Sequence, residues 1–532
     1  MPNAFRTILD SGPLLFVRKN PAIEQPLRSE LFNPEQMQNY GKTLSESHRL
    51  SSSGARFDSL LGRLEENETV LEEAHILLME AVAAKERIVP AADWILDNFY
   101  LVQDHIRTSK RDLPKGFSKE LPRLEGSSPP GLPRVYDIAL ERISHGDGLV
   151  DPETLQGFFD AYQSVNVLTL GELWAFPIML RLALIENLRR ISIRISTEIG
   201  IQRKAASWAD RLIARAVSDP KSLILLIADI ARSEPPLVSS FVAELSYKLQ
   251  GKGASLALAL TWMEQQLAEK GESIDSLVQS EMQQQAADQV SVSNTIRSLR
   301  SLTAKDWKQF VESTSEVEKT LMKDPACCYQ SMEFSTRDRY RHVVENTAKL
   351  NRTSEATIAG YALDLARECC GNAGCDDRAS HVGYYLIDKG FSRLELKITD
   401  KRTVLSKVRA FAEQNAFPLY GGVVSFLSFS LSALFVLEAC HEGTAPGWLS
   451  FLAVVALVST TGLSVTLVNW AVMLFGKPSE LPRMDYAEGI PPASRTLVAI
   501  PSMFSCRSHI DGLLEALEVR FLANRDDNLF FG

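Results

Sequence analysis

Between Phe417 and Phe475 the chain carries 21 residues without a charge (Phe417–Leu437), a short loop, and 28 more without one (Trp448–Phe475). A helix that crosses a hydrocarbon core of about 30 Å needs about 20 apolar residues, so both runs are long enough. The competing reading is a pair of buried core helices, but two such runs this close together are unusual in a soluble domain. The sequence therefore predicts a transmembrane hairpin with spans at about 417–437 and 448–475, and a lipid bilayer as its partner. Lys401, Arg402, Lys407 and Arg409 precede it, and Lys477, Arg483 and Arg495 follow. The loop holds Glu438, His441 and Glu442 and no Lys or Arg. That bias predicts a multi-pass protein of a bacterial inner membrane with both termini cytoplasmic, and Trp448 and Trp470 at the interfaces.

What surrounds the hairpin reads as mainly α. The 532 residues suggest roughly three domains. A formal net charge of −9 argues against a general nucleic-acid binder, so no nucleic-acid partner is expected. The seven cysteines include two adjacent pairs, Cys327–Cys328 and Cys369–Cys370, which do not resemble a disulfide framework and favour a reducing compartment. The first twenty residues hold Arg6, Asp10, Arg18 and Lys19 around a short apolar stretch, which is not a secretory signal.

Residues 1–50 are polar and predict a flexible lead-in with one short helix at most. Residues 51–400 predict an all-α cytoplasmic region. Val70, Leu71, Ala74, Leu77, Leu78 and Ala81 fall on one helical face. Pro90 is expected to end that helix, and Ala91–Arg107 to form the next with Trp94, Ile95, Phe99 and Ile106 mostly inward. Pro114, Pro122, Pro129, Pro130 and Pro133 mark a loop. Asp151-Pro152 is a helix start. A long helix is expected at about 169–199. It is read as a core helix because Glu172, Arg181 and Glu186 interrupt its apolar run, with Arg189, Arg190 and Arg194 available to anionic lipid. Further helices are expected at about 203–217, 220–232, 235–250, 254–270 and 275–301, one opened by Thr303-x-x-Asp306, and three more at 335–350, 354–370 and 378–386. No fixed-period repeat is visible.

The hairpin occupies 401–476 and a Pro-rich connector 477–495. Thr496–Pro501 reads as a buried parallel strand, His509–Asn524 as a helix and Leu529–Phe531 as a second strand. Together, 496–532 predict the first β-α-β of an incomplete α/β domain, which leads to the expectation that the intact protein continues.

No catalytic, cofactor-binding or metal residue can be assigned. Gly251-Lys-Gly253, followed by Ala254-Ser255, matches neither a phosphate loop nor a dinucleotide fingerprint. Cys369-Cys370-x4-Cys375 beside Asp376 and Asp377 fits no zinc spacing. His145-Gly-Asp147-Gly-x-x-Asp151 lacks the acidic alternation of a calcium loop and reads as a turn with a helix cap. Asp526-Asp527 reads as a solvated turn.

Several motifs, in order, resemble the amino-terminal region of bacterial cyclic β-1,2-glucan synthases. These are Trp94-Ile-Leu-Asp-Asn-Phe-Tyr100 with His105-Ile-Arg107, Leu121-Pro-Arg123, Leu170-Gly-Glu-Leu-Trp-Ala-Phe-Pro177, and Met179 through Arg190. Phe334-Ser-Thr-Arg-Asp-Arg-Tyr-Arg341, His381-Val-Gly-Tyr-Tyr-Leu386, Leu467-Val-Asn-Trp470, Leu481-Pro-Arg-Met-Asp485, Glu488-Gly-Ile-Pro491 and Arg495-Thr-Leu-Val498 follow. The resemblance covers roughly residue 70 to the end. It implies a glycosyltransferase domain that takes glucose from UDP-glucose with a divalent metal, its acidic motifs lying beyond Gly532. The chain would then be the membrane-anchoring portion of such a synthase, inactive alone, with the remainder of the synthase as partner if encoded separately. The alternative is a free-standing, membrane-anchored helical scaffold that binds partners.

Overall fold

The computed structural model describes residues 24–51, 59–113, 116–126, 131–374, 377–398, 415–475, 481–501 and 507–532. The start of the lead-in, Pro114, Pro129, Pro130, Cys375, Asp376, Lys401, Arg402, Lys407, Arg409 and Lys477 lie outside the described residues. The chain forms two compact units, Met1–Ser315 and Glu316–Gly532. It is mostly helical, with two apolar helices and a two-stranded parallel sheet at its C-terminal end.

In the first unit, α1 (Pro34–Ser47), α2 (Ser59–Ala83), α3 (Pro90–Asp97), α4 (Phe99–Asp112), α5 (Arg134–Ser144) and α6 (Pro152–Gln163) precede α7 (Leu170–Ser218). After α7 come α8 (Leu223–Arg232), α9 (Ser239–Leu249), α10 (Ala257–Ala268), α11 (Ile274–Ala304) and α12 (Trp307–Thr314). The 49-residue α7 is the spine. Thr169 caps it and Glu172 returns the hydrogen bond to Thr169, a reciprocal box that satisfies two orphan N–H groups. Its first half enters a core with Leu78, Ile138, Phe159, Phe176, Leu184 and Ile296. Its second half enters a separate core with Leu212, Ile227, Phe241, Leu245 and Met263.

Several boundaries depart from the sequence pattern. The expected helices at 169–199 and 203–217 are one, because Ala205, Ala209 and Leu212 continue the buried face past Gly200. The expected 91–107 helix breaks at Asn98, whose ψ of 12° shifts the helical phase, so Ile95 and Phe99 are buried while Trp94 is 37% exposed. Pro90 opens α3 instead of ending α2, a position where its missing N–H costs nothing. Thr303 lies inside α11, and Asp306 alone caps α12 by accepting from the Lys308 amide at 2.9 Å.

The second unit begins with α13 (Glu316–Leu321), α14 (Phe334–Asn351), α15 (Glu355–Ala373), α16 (Val382–Ile387) and α17 (Phe391–Ile398). They share a core of Leu321, Tyr329, Tyr340, Val344, Ala362 and Tyr385. The apolar helices are α18 (Ala416–His441) and α19 (Pro446–Phe475). At the C-terminal end, β1 (Thr496–Val498) and β2 (Leu529–Phe531) pair in parallel through α20 (Arg507–Ala523), with Thr496, Leu497 and Val498 opposite Leu529, Phe530 and Phe531.

Candidate membrane interface

Helices α18 and α19 pack as an antiparallel pair whose polarity is reversed from that of a soluble helix pair. Water-soluble helices turn apolar residues inward and polar ones outward. Here Ser428, Ser432, Thr460 and Ser464 are buried, while Phe426, Phe429, Leu434, Val458 and Trp470 are each more than half exposed. The buried positions recur at four-residue intervals, Ser428–Ser432 on one helix and Ala456–Thr460–Ser464–Val468 on the other. Small residues at this spacing let two backbones approach without a hydrophobic driving force between them. Three of these hydroxyls bond to main-chain carbonyls: Thr460 Oγ1 donates to Ser428 O at 3.2 Å, Ser428 Oγ to Val424 O at 2.8 Å and Ser432 Oγ to Ala453 O at 3.4 Å. At the end away from the turn, the Tyr420 hydroxyl donates to Asn469 Oδ1 at 3.0 Å. Both helices have a mean hydropathy of 2.0 or above over their most apolar stretch. The turn between them closes with Gly443 at φ 79°, a left-handed conformation that a side chain would strain.

Beyond α19 the chain returns to the helical layer. Met332 and Met484 form an antiparallel bridge. The Glu333 amide donates to Arg483 O at 2.9 Å, the Asp485 amide to Ser331 O at 2.8 Å, and the Arg483 amide to Thr336 Oγ1 at 3.0 Å. This clasp holds Arg483–Asp485 against the start of α14. The next stretch is pinned to the β1–β2 pair. Asp526 accepts from the Ile490 amide at 2.7 Å and the Asn528 amide at 2.8 Å, and Asn528 Nδ2 donates to Ile490 O. Asp526 is thus a half-buried structural anchor, which corrects its reading as solvated. Asp527 is exposed.

The three arginines offered to anionic lipid at 189–194 are committed elsewhere. Arg63, Arg189 and Arg190 converge on Glu186, whose side chain is fully buried, and Arg189 and Arg190 also reach Glu24. Burial pushes the Glu186 carboxyl up, but the Arg63 hydrogen bonds and the charges of Arg189 and Arg63 outweigh it and hold the group well below the carboxylate range. Arg194 pairs with Asp288 and Glu198. A buried carboxylate needs such partners, so these cations are structural. Beside them, burial and then Glu281 raise the Glu198 carboxyl to about 7, against Arg194.

The remaining motifs resolve as turns and caps. Asp151 accepts from the Glu153 amide, and Asp147, at φ 46°, pairs with Arg28. Asp377 accepts from the Ala379 amide. Gly251 and Gly253 form a turn at positive φ. Cys327, Cys328 and Cys369 are free, and Cys370 is disulfide-bonded. Among the described residues no cluster of three His, Cys, Asp or Glu could hold a metal. Sequence reasoning missed the clasp and the hydroxyl seam. The four-residue recurrence of small residues was the available signal for the seam, whereas no periodicity marks the clasp.

Helical layers, an inverted-polarity hairpin and a parallel β-α-β unit together fit the class of membrane proteins that carry an α/β domain. No protein-family model matches the chain. It is 29% identical over 508 residues, 95% of its length, to the cyclic β-(1,2)-glucan synthase NdvB of Rhizobium meliloti (strain 1021). The chain spans 18% of the length of that protein. It is thus related to a portion of a glucan synthase.

Proposed function

We propose that this chain is the membrane-anchoring portion of a cyclic β-1,2-glucan synthase, a glucosyltransferase that uses UDP-glucose and a divalent metal. In this reading α18 and α19 cross a bacterial inner membrane with the Glu438–Gly447 turn outside, and the helical layers and the β-α-β unit face the cytoplasm. The carrying observation is the reversed polarity of the hairpin within a chain related along 95% of its length to a glucan synthase. Arg483 and Arg495 after α19, against the absence of Lys and Arg between Glu438 and Gly447, support the orientation. A cytoplasmic β-α-β unit also suits a nucleotide-sugar donor. The partners are the bilayer and the rest of the synthase, not nucleic acid, and the chain alone transfers no glucose.

Two experiments test this. A reporter fused after Arg495 should be active only as a cytoplasmic fusion, and one placed between Glu438 and Gly447 only as a periplasmic one; the reverse pattern sinks the orientation. Membranes carrying the chain should form no β-1,2-glucan from labelled UDP-glucose, and should form it when the remaining synthase is joined to the chain. Failure of the joined protein would favour a free-standing scaffold.

A further inference from the structure

We propose that Cys327 and Cys328 form a dithiol site that takes one trivalent, sulfur-seeking ligand of the arsenoxide class across both sulfurs. Both thiols are free and exposed, and they are adjacent in sequence. They sit in a turn fixed from both sides. The Cys327 amide donates to Asp324 O at 3.0 Å, the Tyr329 amide to Asp324 Oδ2 at 3.3 Å, and the Ser331 amide to Cys328 O at 3.2 Å. Burial, then Asp324 and then Cys327, push the Cys328 thiol up, so Cys328 stays protonated at neutral pH.

Geometry separates this ligand from simple oxidation. Consecutive Cα atoms lie about 3.8 Å apart, below the roughly 4.4 Å at which unstrained disulfides begin. A direct sulfur–sulfur bond therefore closes under strain, whereas a bridging atom widens the span. The chemistry balances without an oxidant: two arsenic–sulfur bonds form, the arsenic–oxygen bonding is lost, and the two thiol protons leave with that oxygen as water. The turn leads directly into the clasp, since Ser331 O, Met332 and Glu333 hold Arg483–Asp485. A ligand that locks Cys327–Cys328 should therefore also stiffen the connector.

The full chain in detergent, treated with phenylarsine oxide and passed through a desalting column, tests the site. The wild type should keep one phenylarsenic group mapped to the peptide containing Cys327 and Cys328, and 2,3-dimercaptopropanol should strip it. C327S and C328S should each keep none there, while C440S, which removes an exposed isolated thiol, should keep it. Retention by either single variant of the pair, or none in the wild type, overturns the site. Hydrogen exchange at the Arg483 and Asp485 amides should slow on loading, and unchanged exchange overturns the coupling to the connector.

Discussion

The apolar stretch Leu173–Ile185 of α7 and the hairpin helices α18 and α19 are built from similar residues, yet the structure uses them in opposite ways. In α7, Leu173, Phe176, Met179, Leu180, Leu184 and Ile185 are nearly or fully buried; the flanking Glu172 and Glu186 pair with Arg134 and Arg63, and Arg181 among them pairs with Asp112. In the hairpin the large apolar side chains are exposed and the small hydroxyl residues are buried. Apolar content does not separate the two. What separates them is whether charges are present and satisfied, and which face carries the bulk. A buried ion pair such as Arg134–Glu172, at 2.5 Å, needs close pairing and further hydrogen bonds, here from Arg134 to Val167 O, to offset its desolvation.

The largest expected effect lies in α7. Glu186→Ala leaves Arg63, Arg189 and Arg190 without their shared carboxylate and should cost about 3–5 kcal/mol of stability, read by denaturant unfolding of the full chain. Phe429→Arg sharpens the contrast from the other side. At an exposed position in water it would change little, whereas at mid-bilayer it should cost roughly 2.5–3.5 kcal/mol of insertion. A glycosylation-mapping insertion assay distinguishes them, and unimpaired insertion would count against a membrane span. Thr460→Leu crowds the seam and should cost about 1–3 kcal/mol, while Thr460→Ala should cost only about 0.6 kcal/mol, both read by hairpin association in detergent.

An effect of a different kind is a pH slope. The folded-state value of Glu198 lies above its ordinary value of 4.5, so burial favours its protonated form. Its contribution is most favourable below pH 4.5 and is lost as pH rises toward about 7. Glu198→Gln should remove that part of the slope, measured as the difference between variant and wild-type unfolding curves across this window. An unchanged difference would show that Glu198 titrates normally.

Much of this contrast was legible before the structure. The length and neutrality of 417–437 and 448–475 announced two apolar helices, and the interrupting Glu172, Arg181 and Glu186 marked α7 as interior. The parallel pair was readable from its short apolar runs separated by a helix, but the first strand is only Thr496–Val498 and is not buried as expected, with Leu497 exposed. What could not be read was long-range partnership. Arg189, Arg190 and Arg194 look like a basic patch in sequence because, besides the nearby Glu186 and Glu198, the carboxylates that complete their neutralisation, Glu24 and Asp288, lie far away along the chain. The break at Asn98 and the continuity through Gly200 escaped for a related reason: packing decides them, and local propensity does not. Catalytic residues had no sequence signal here, and the described residues form no metal-binding cluster.

The clasp at Met332 and Met484 carries one consequence of a different kind. The chain leaves the helical layer after Ile398 and is fastened to that same layer again by Arg483. Any route through a bilayer between these points must therefore cross it an even number of times. Parity then disfavours any odd number of spans, and leaves the choice between the two senses of the hairpin to loop charge: adding or deleting a single crossing would force the fastening to open before the new topology could exist.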